Sequence, residues 1–250
     1  MGRRREGAPS ATALIPAAGS GERLGGEGPK ALVEVAGRPM LEWSLRAFAA
    51  SADVGVAVVA VPPGGEEEMR DAVVAPEGLE LHVVKGGPTR SESVAAALTG
   101  IEEETDVVAI HDAARPLVTP ELIDELIEAL VGRPDASGVI AATAVTDTVK
   151  RAREPREPRG EVARGGATVA RTESRDRLWA VQTPQVFRTS ALREALAADP
   201  QRVAQASDDA WLVEKQGGKV LIHPAPPENL KVTTPFDLRV AELLLADRRG

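Results

Sequence analysis

The chain has 250 residues and a mass of 26.2 kDa, and its 43% hydrophobic and 27% charged residues are ordinary for a globular protein of one large or two small domains. The absence of cysteine excludes a disulfide framework, a thiolate zinc site and a cysteine nucleophile, and His82, His111 and His223 are too scattered for a paired metal motif, so any metal must be held by oxygen. A net charge of -8 and only 2% aromatic residues argue against nucleic acid as a partner.

The opening MGRRREGAPS is basic, but no apolar segment follows it, and no run approaches the ~18 apolar residues of a membrane span. The expectation is a soluble, cytoplasmic protein with no membrane partner. Short apolar runs then alternate with helix-period segments along the chain, which predicts an α/β fold: a mostly parallel sheet with helices on both faces. Strands are expected at residues 11–15, 54–61, 79–84, 106–111, 138–144 and 219–223. The run at 54–61 is apolar at successive positions, as in a strand covered on both faces. Pro39 marks a helix start ahead of Leu41, Leu45 and Phe48. Thr119 and Pro120 give an N-cap and first turn ahead of Leu122, Ile123, Leu126, Ile127 and Leu130, with Gly132 closing that helix.

One segment departs from the alternation. Residues 150–177 hold nine basic and five acidic residues, a net charge of +4, so the remainder carries -12. With EPREP at its centre and few apolar residues before Leu178, this segment predicts a projecting arm on a single domain spanning residues 1–250.

Two motif regions carry chemistry. After the first strand comes PAAGSGERL, then Gly25, Gly26, Gly28, Pro29 and Lys30. Glycine-rich turns at this place in open α/β sheets let backbone N–H groups approach phosphate oxygens. Leu24 stands where the dinucleotide fingerprint needs Gly or Ala, and Pro29-Lys30-Ala31 breaks the Gly-Lys-Ser/Thr of a P-loop. What remains is a small-residue loop with two cations, Arg23 and Lys30, suited to a triphosphate whose leaving pyrophosphate needs neutralising. The second region, HDAARP at 111–116, follows a strand end, where Asp112 is placed to take Mg²⁺ or a ribose hydroxyl. His111 is expected to be structural.

Taken with GGPTRSESV at 86–94, TDTVK at 146–150, LWAVQTPQVF at 178–187, SDDAWLVE at 207–214 and ENLKVTTPFDL at 228–238, these segments give a chain that resembles the 2-C-methyl-D-erythritol 4-phosphate cytidylyltransferase family over about its whole length. The resemblance implies a Rossmann-like nucleotidyltransferase domain. It also implies transfer of CMP from CTP to 2-C-methyl-D-erythritol 4-phosphate in non-mevalonate isoprenoid synthesis, with Mg²⁺ as cofactor. By the same resemblance Arg23 and Lys30 are the charge-stabilising catalytic residues, and Ala17, Ala18 and Gly19 cradle the nucleotide. Gly86, Gly87 and Ser93 match the pyrimidine pocket, and Asp112 lies at the nucleotide and methylerythritol side. Arg115, Thr148, Arg175, Thr183, Ser207 and Lys231 match the acceptor side. Pro88 replaces an acidic residue of some members, and Ser207 stands where threonine is frequent. In relatives the arm embraces a second subunit, which implies a homodimer. The alternatives are a cytidylyltransferase for another polyol phosphate such as ribitol 5-phosphate, and a nucleotide-binding module without turnover.

Overall fold

The computed structural model describes residues 11–19, 28–101, 105–153 and 167–248. Seven strands form one sheet: β1 (Ala11–Pro16), β4 (Val54–Val61), β5 (Glu80–Lys85), β6 (Val107–Ile110), β7 (Gly138–Ala144), β10 (Trp179–Arg188) and β11 (Val220–Pro224). Their order is β11-β7-β10-β6-β1-β4-β5. Six of them are the strands expected from the apolar runs, with boundaries matching to within a residue. β1 pairs in parallel with both β4 and β6, β4 with β5, and β7 with β11. β10 runs antiparallel to both of its neighbours, β6 and β7. The sheet is therefore mixed at one strand and parallel elsewhere.

Alternation of side chains along the strands splits the core in two. Ala13, Ile15, Ala57, Val59, Val61 and Ala109 face one side and pack against Leu41, Leu45 and Phe48 of α1 (Met40–Ala50), Met69 of α2 (Glu66–Ala72), and the buried stripe of α4 (Pro120–Val131). Leu14, Val58, Ala60, Val108 and Ile110 face the other. They meet Val94, Ala97 and Leu98 of α3 (Arg90–Thr99), with α5 (Thr189–Leu196), α6 (Pro200–Ala204) and α7 (Asp209–Lys215). Residues 57–61 are wholly buried, as a strand covered on both faces requires. A smaller cluster joins β2 (Glu34–Val35), beside β3 (Arg38–Pro39), to α8 (Pro235–Asp247) through Val35, Leu117, Ala241 and Leu245. No helix among the described residues is long and apolar enough to cross a membrane.

The start of α4 is capped as expected, with Thr119 accepting from the Leu122 N–H ahead of Pro120. The described ends of the basic segment form a hairpin, β8 (Lys150–Ala152) with β9 (Val169–Thr172), in which every residue is exposed.

The chain runs from β1 to β4 and β5 on one side, then crosses back to place β6 on the other side of β1. This reversal of direction opens a crevice at the C-terminal ends of β1 and β6, the place where open α/β sheets take their ligands.

Candidate active site

Three loops meet in that crevice. The loop leaving β1 is held down by the Ala17 N–H, which donates to the Ala60 carbonyl (2.7 Å), and its far side is closed by the Lys30 N–H donating to Gly19 O (2.9 Å). The loop leaving β5 begins with the Gly86 N–H on Val61 O (2.7 Å) and runs into α3. The loop leaving β6 starts with the His111 N–H on Leu14 O (2.9 Å). Together they enclose a cavity of about 340 Å³ whose lining includes Ala17, Ala18, Gly19, Lys30, Pro88, Arg90, Ser93, Asp112 and Lys231.

The β5–α3 loop shows why its residues are glycine. A Cβ on Gly87 would lie 2.3 Å from the Glu92 Cβ, and one on Gly86 would lie 2.9 Å from Ser93 Oγ, so the loop folds tightly onto the first turn of α3. That turn carries a capping box, Thr89 accepting from Glu92 N–H while the Glu92 carboxylate accepts from Thr89 N–H. Ser93 is fully buried, and its hydroxyl accepts from the Gly87 N–H and lies within donor reach of the Gly87 and Thr89 carbonyls. It fixes the loop from beneath.

Asp112 is the electrostatic centre. Arg90 Nε donates to one of its carboxylate oxygens (3.0 Å) and Lys231 Nζ to the other (2.7 Å). Burial would raise this carboxyl, but the two cations outweigh it and hold the group well below the ordinary carboxylate range. Arg90 also forms a salt bridge with Asp209, a fully buried residue of α7. Charge thus alternates along Lys231, Asp112, Arg90 and Asp209.

Beneath Asp112 lies a buried polar brace. The Asp112 N–H donates to Thr183 Oγ1 (3.0 Å), which is 3.1 Å from His111 Nδ1, and His111 Nε2 is 3.2 Å from the Arg115 carbonyl. Arg115 Nη1 donates to Asn229 O (2.7 Å), while Asn229 Nδ2 donates to Gln182 Oε1 (2.8 Å) and Thr183 O (2.9 Å). Burial lowers the Arg115 pKa, and the same cause brings His111 down to about 4, so its imidazole is neutral at physiological pH.

Of the residues singled out in the sequence, Ala17, Ala18, Gly19, Lys30, Ser93, Asp112 and Lys231 therefore come together at the cavity, with Gly86 and Gly87 immediately behind it. Arg115 and Thr183 are buried in the brace rather than lining the cavity. Thr148, Arg175 and Ser207 are exposed and lie outside its lining, and Arg175 Nη1 donates to the Thr146 carbonyl at the base of the hairpin. Arg23 lies outside the described residues. The sequence reading missed Arg90 and Asp209 as a pair, although both lie inside segments it quoted; 119 positions separate them, so only the fold joins them.

Nearly the whole chain matches known proteins. The family model described as 2-C-methyl-D-erythritol 4-phosphate cytidylyltransferase matches residues 11–247. The chain belongs to this family. It is therefore a nucleotidyltransferase. A cytidylyltransferase of that name from Streptomyces avermitilis is 44% identical over 243 residues, covering 95% of this chain and 92% of the relative. The crystal structure of 2-C-methyl-D-erythritol 4-phosphate cytidylyltransferase from Thermus thermophilus superposes with a TM-score of 0.71 at 34% identity, covering 95% of this chain and 99% of that one. The structure of 4-diphosphocytidyl-2C-methyl-D-erythritol synthase from Anaerococcus prevotii superposes with a TM-score of 0.78 at 27% identity and the same coverage. The mixed seven-stranded sheet is thus the sheet of a cytidylyltransferase fold.

Proposed function

We propose that this chain transfers the cytidylyl group of CTP to 2-C-methyl-D-erythritol 4-phosphate, the reaction of its family in isoprenoid synthesis, within the cavity centred on Asp112. The observation that carries the reading is one cavity at the sheet crevice in which Arg90 and Lys231 meet on the Asp112 carboxylate while Lys30 lines the wall beside Ala17, Ala18 and Gly19.

The chemistry needs no protein nucleophile. A phosphate oxygen of the acceptor, itself carrying about -1.5 to -2 of charge, attacks the α-phosphorus of CTP; a new P–O bond forms while the bond to the bridging oxygen breaks, and the electron pair leaves with pyrophosphate. Lys30, with Arg23 as the family resemblance implies, stabilises the charge that develops on the α-phosphate and the leaving group, and Lys231 orients the acceptor phosphate. The backbone of the 86–88 loop holds the cytosine ring. Asp112 holds the ribose hydroxyl or the cation that accompanies the triphosphate.

Mg²⁺ is the cation proposed. Among the described residues no group of three acidic or histidine side chains converges, whereas Asp112 offers one ionised carboxylate beside the triphosphate loop. One carboxylate suits an ion that takes its other ligands from phosphate and water. Bound there, Mg²⁺ supplies further neutralisation of the phosphate oxygens.

We further propose that the enzyme works in the cytoplasm, where CTP is made, and as a homodimer through its arm. A two-stranded hairpin is marginal by itself, and β8–β9 buries none of its residues against its own chain, with Val169 51% exposed. A partner surface accounts for such an element. The test of the activity is pyrophosphate release from CTP with 2-C-methyl-D-erythritol 4-phosphate, with ribitol 5-phosphate, and with no acceptor, each with and without a Mg²⁺ chelator. Release confined to the first acceptor and abolished by chelation is the expected outcome. Equal release with ribitol 5-phosphate would move the assignment to the neighbouring polyol phosphate.

A further inference from the structure

We propose that Asp209 is a positioning residue for cytidylyl transfer, holding the Arg90 guanidinium in the cavity wall from inside the core. The proposal rests on the cytidylyltransferase reading above.

The geometry sets two carboxylates on one fork. Arg90 Nε donates to Asp112 and Nη1 to Asp209, and among the described residues nothing accepts from its Nη2, while its side chain remains 30% exposed at the cavity. The two anchors differ in kind. Asp112 is the group that meets the ligand, so its hold on Arg90 competes with the nucleotide, its cation and Lys231. Asp209 is 0% exposed and does not line the cavity.

Its backbone is fixed on both sides. Asp208 caps α7 by accepting from Trp211 N–H (3.0 Å), and its other oxygen accepts from Gln185 Nε2 of β10 (3.0 Å). Gln185 Oε1 in turn accepts from the Ala210 N–H (3.3 Å). A long arginine side chain loses much rotamer freedom when it is fixed, and a guanidinium already tethered at Nη1 enters the bound state with much of that freedom spent.

Stability alone is a poor account of Asp209. Its Oδ1 is buried with no hydrogen-bond partner among the described residues, and burial pushes this carboxyl upward against the pull of Arg90. A buried pair with one oxygen unsatisfied does not stabilise a fold better than apolar residues of the same volume. What the pair does supply is a fixed direction for the one cation that enters the cavity from α3.

The test is a kinetic cycle on the full chain. Asp209→Asn keeps the shape and removes the charge; Arg90→Lys keeps the charge and removes the fork. Expected is a loss of roughly tenfold or more in kcat/KM for CTP in D209N, and less than about a twofold effect of D209N when added to R90K, because Asp209 then has no fork left to hold. Circular dichroism and active-site titration confine the comparison to folded protein. If D209N does not fold, Asp209→Ser, smaller and neutral, takes its place in the same cycle.

A lowered melting temperature with kcat/KM unchanged would make Asp209 structural and overturn the proposal. Losses that multiply in the double variant would overturn it too, since Asp209 would then act apart from Arg90. The wild-type control separates the two readings. A wild type that releases no pyrophosphate with 2-C-methyl-D-erythritol 4-phosphate sinks the assigned reaction, whereas an active wild type with an equally active D209N sinks only the role of Asp209.

Discussion

The hydroxyl of Thr183, on the antiparallel strand β10, lies 3.1 Å from His111 Nδ1 at the end of β6 and also accepts from the Asp112 N–H. One hydroxyl has one proton. Nε2 faces the Arg115 carbonyl, which can only accept, so Nε2 carries a hydrogen and donates it there; in the neutral imidazole Nδ1 is then the acceptor that the Thr183 proton needs. The brace beneath Asp112 is complete only with a neutral imidazole.

That requirement gives a pH dependence. In the unfolded chain the imidazole takes a proton near 6.5, but burial lowers this to about 4 in the fold, with Asp112 pulling it back up only in part. Between those values the unfolded state binds more protons, so stability falls as pH drops from 6.5 toward 4 and is fully present above 6.5. The effect is about 2 kcal/mol between pH 7 and pH 5. Asp112 does not contribute there, because its depressed carboxyl gives up stability only below the ordinary carboxylate range. Urea unfolding at the two pH values should show the loss in the wild type and most of it gone in His111→Asn, whose amide oxygen accepts from Thr183 in place of Nδ1. Equal losses in both proteins would mean that His111 is not the neutral bridge.

The Gly87 position predicts a defect in nucleotide affinity. An alanine there would put its Cβ 2.3 Å from the Glu92 Cβ, and the Glu92 side chain belongs to the capping box that starts α3. The loop must move by more than a side-chain adjustment, at roughly 1–3 kcal/mol for overpacking of this kind. Gly87→Ala should therefore raise KM for CTP while the far-ultraviolet spectrum is unchanged. If this loop's backbone walls the base as the family resemblance implies, a single ring should fit it better than a purine, so the wild type should use CTP well ahead of ATP or GTP in pyrophosphate release. Comparable rates with ATP would show that the loop does not hold the base.

Lys30 lines the cavity on the loop that closes against Gly19. Its replacement by alanine removes a preorganised cation from the phosphates and should lower turnover roughly 10² to 10³-fold. Thermal unfolding should be close to that of the wild type. A matching collapse of structure would make the lysine architectural.

Much of this was legible in the sequence because the governing patterns are local. Successive apolar, mostly β-branched residues at 54–61 suit a strand covered on both faces, and Thr119-Pro120 suits a helix start. β10 was illegible as a strand. Its Gln182, Thr183, Pro184 and Gln185 interrupt both the apolar run and the alternation that announce strands. Those same polar residues are there because the segment binds Asp112, Asn229 and Asp208 rather than only packing. The Arg90–Asp209 pair was hidden for another reason: nothing in a one-dimensional pattern links positions so far apart, and the link exists only once α7 packs on the same side of the sheet as α3.

The arm supplies the last prediction. Arg175 lies beside the hairpin base with its guanidinium on the Thr146 carbonyl, and neither it nor Thr148 lines the cavity that holds Lys30. If the arm crosses to a second subunit, each active site combines Lys30 of one chain with Arg175 of the other. Lys30→Ala and Arg175→Ala proteins should each be nearly inactive alone. Unfolded and refolded together, they form mixed dimers in which one site carries both lesions and the other carries neither, so cytidylyl transfer should reappear. If Arg175 instead serves the cavity of its own chain, every site in a mixed dimer keeps one lesion and no activity returns. Mixed dimers verified by two affinity tags and assayed for pyrophosphate release distinguish the cases, and silence from them would end the shared-site model.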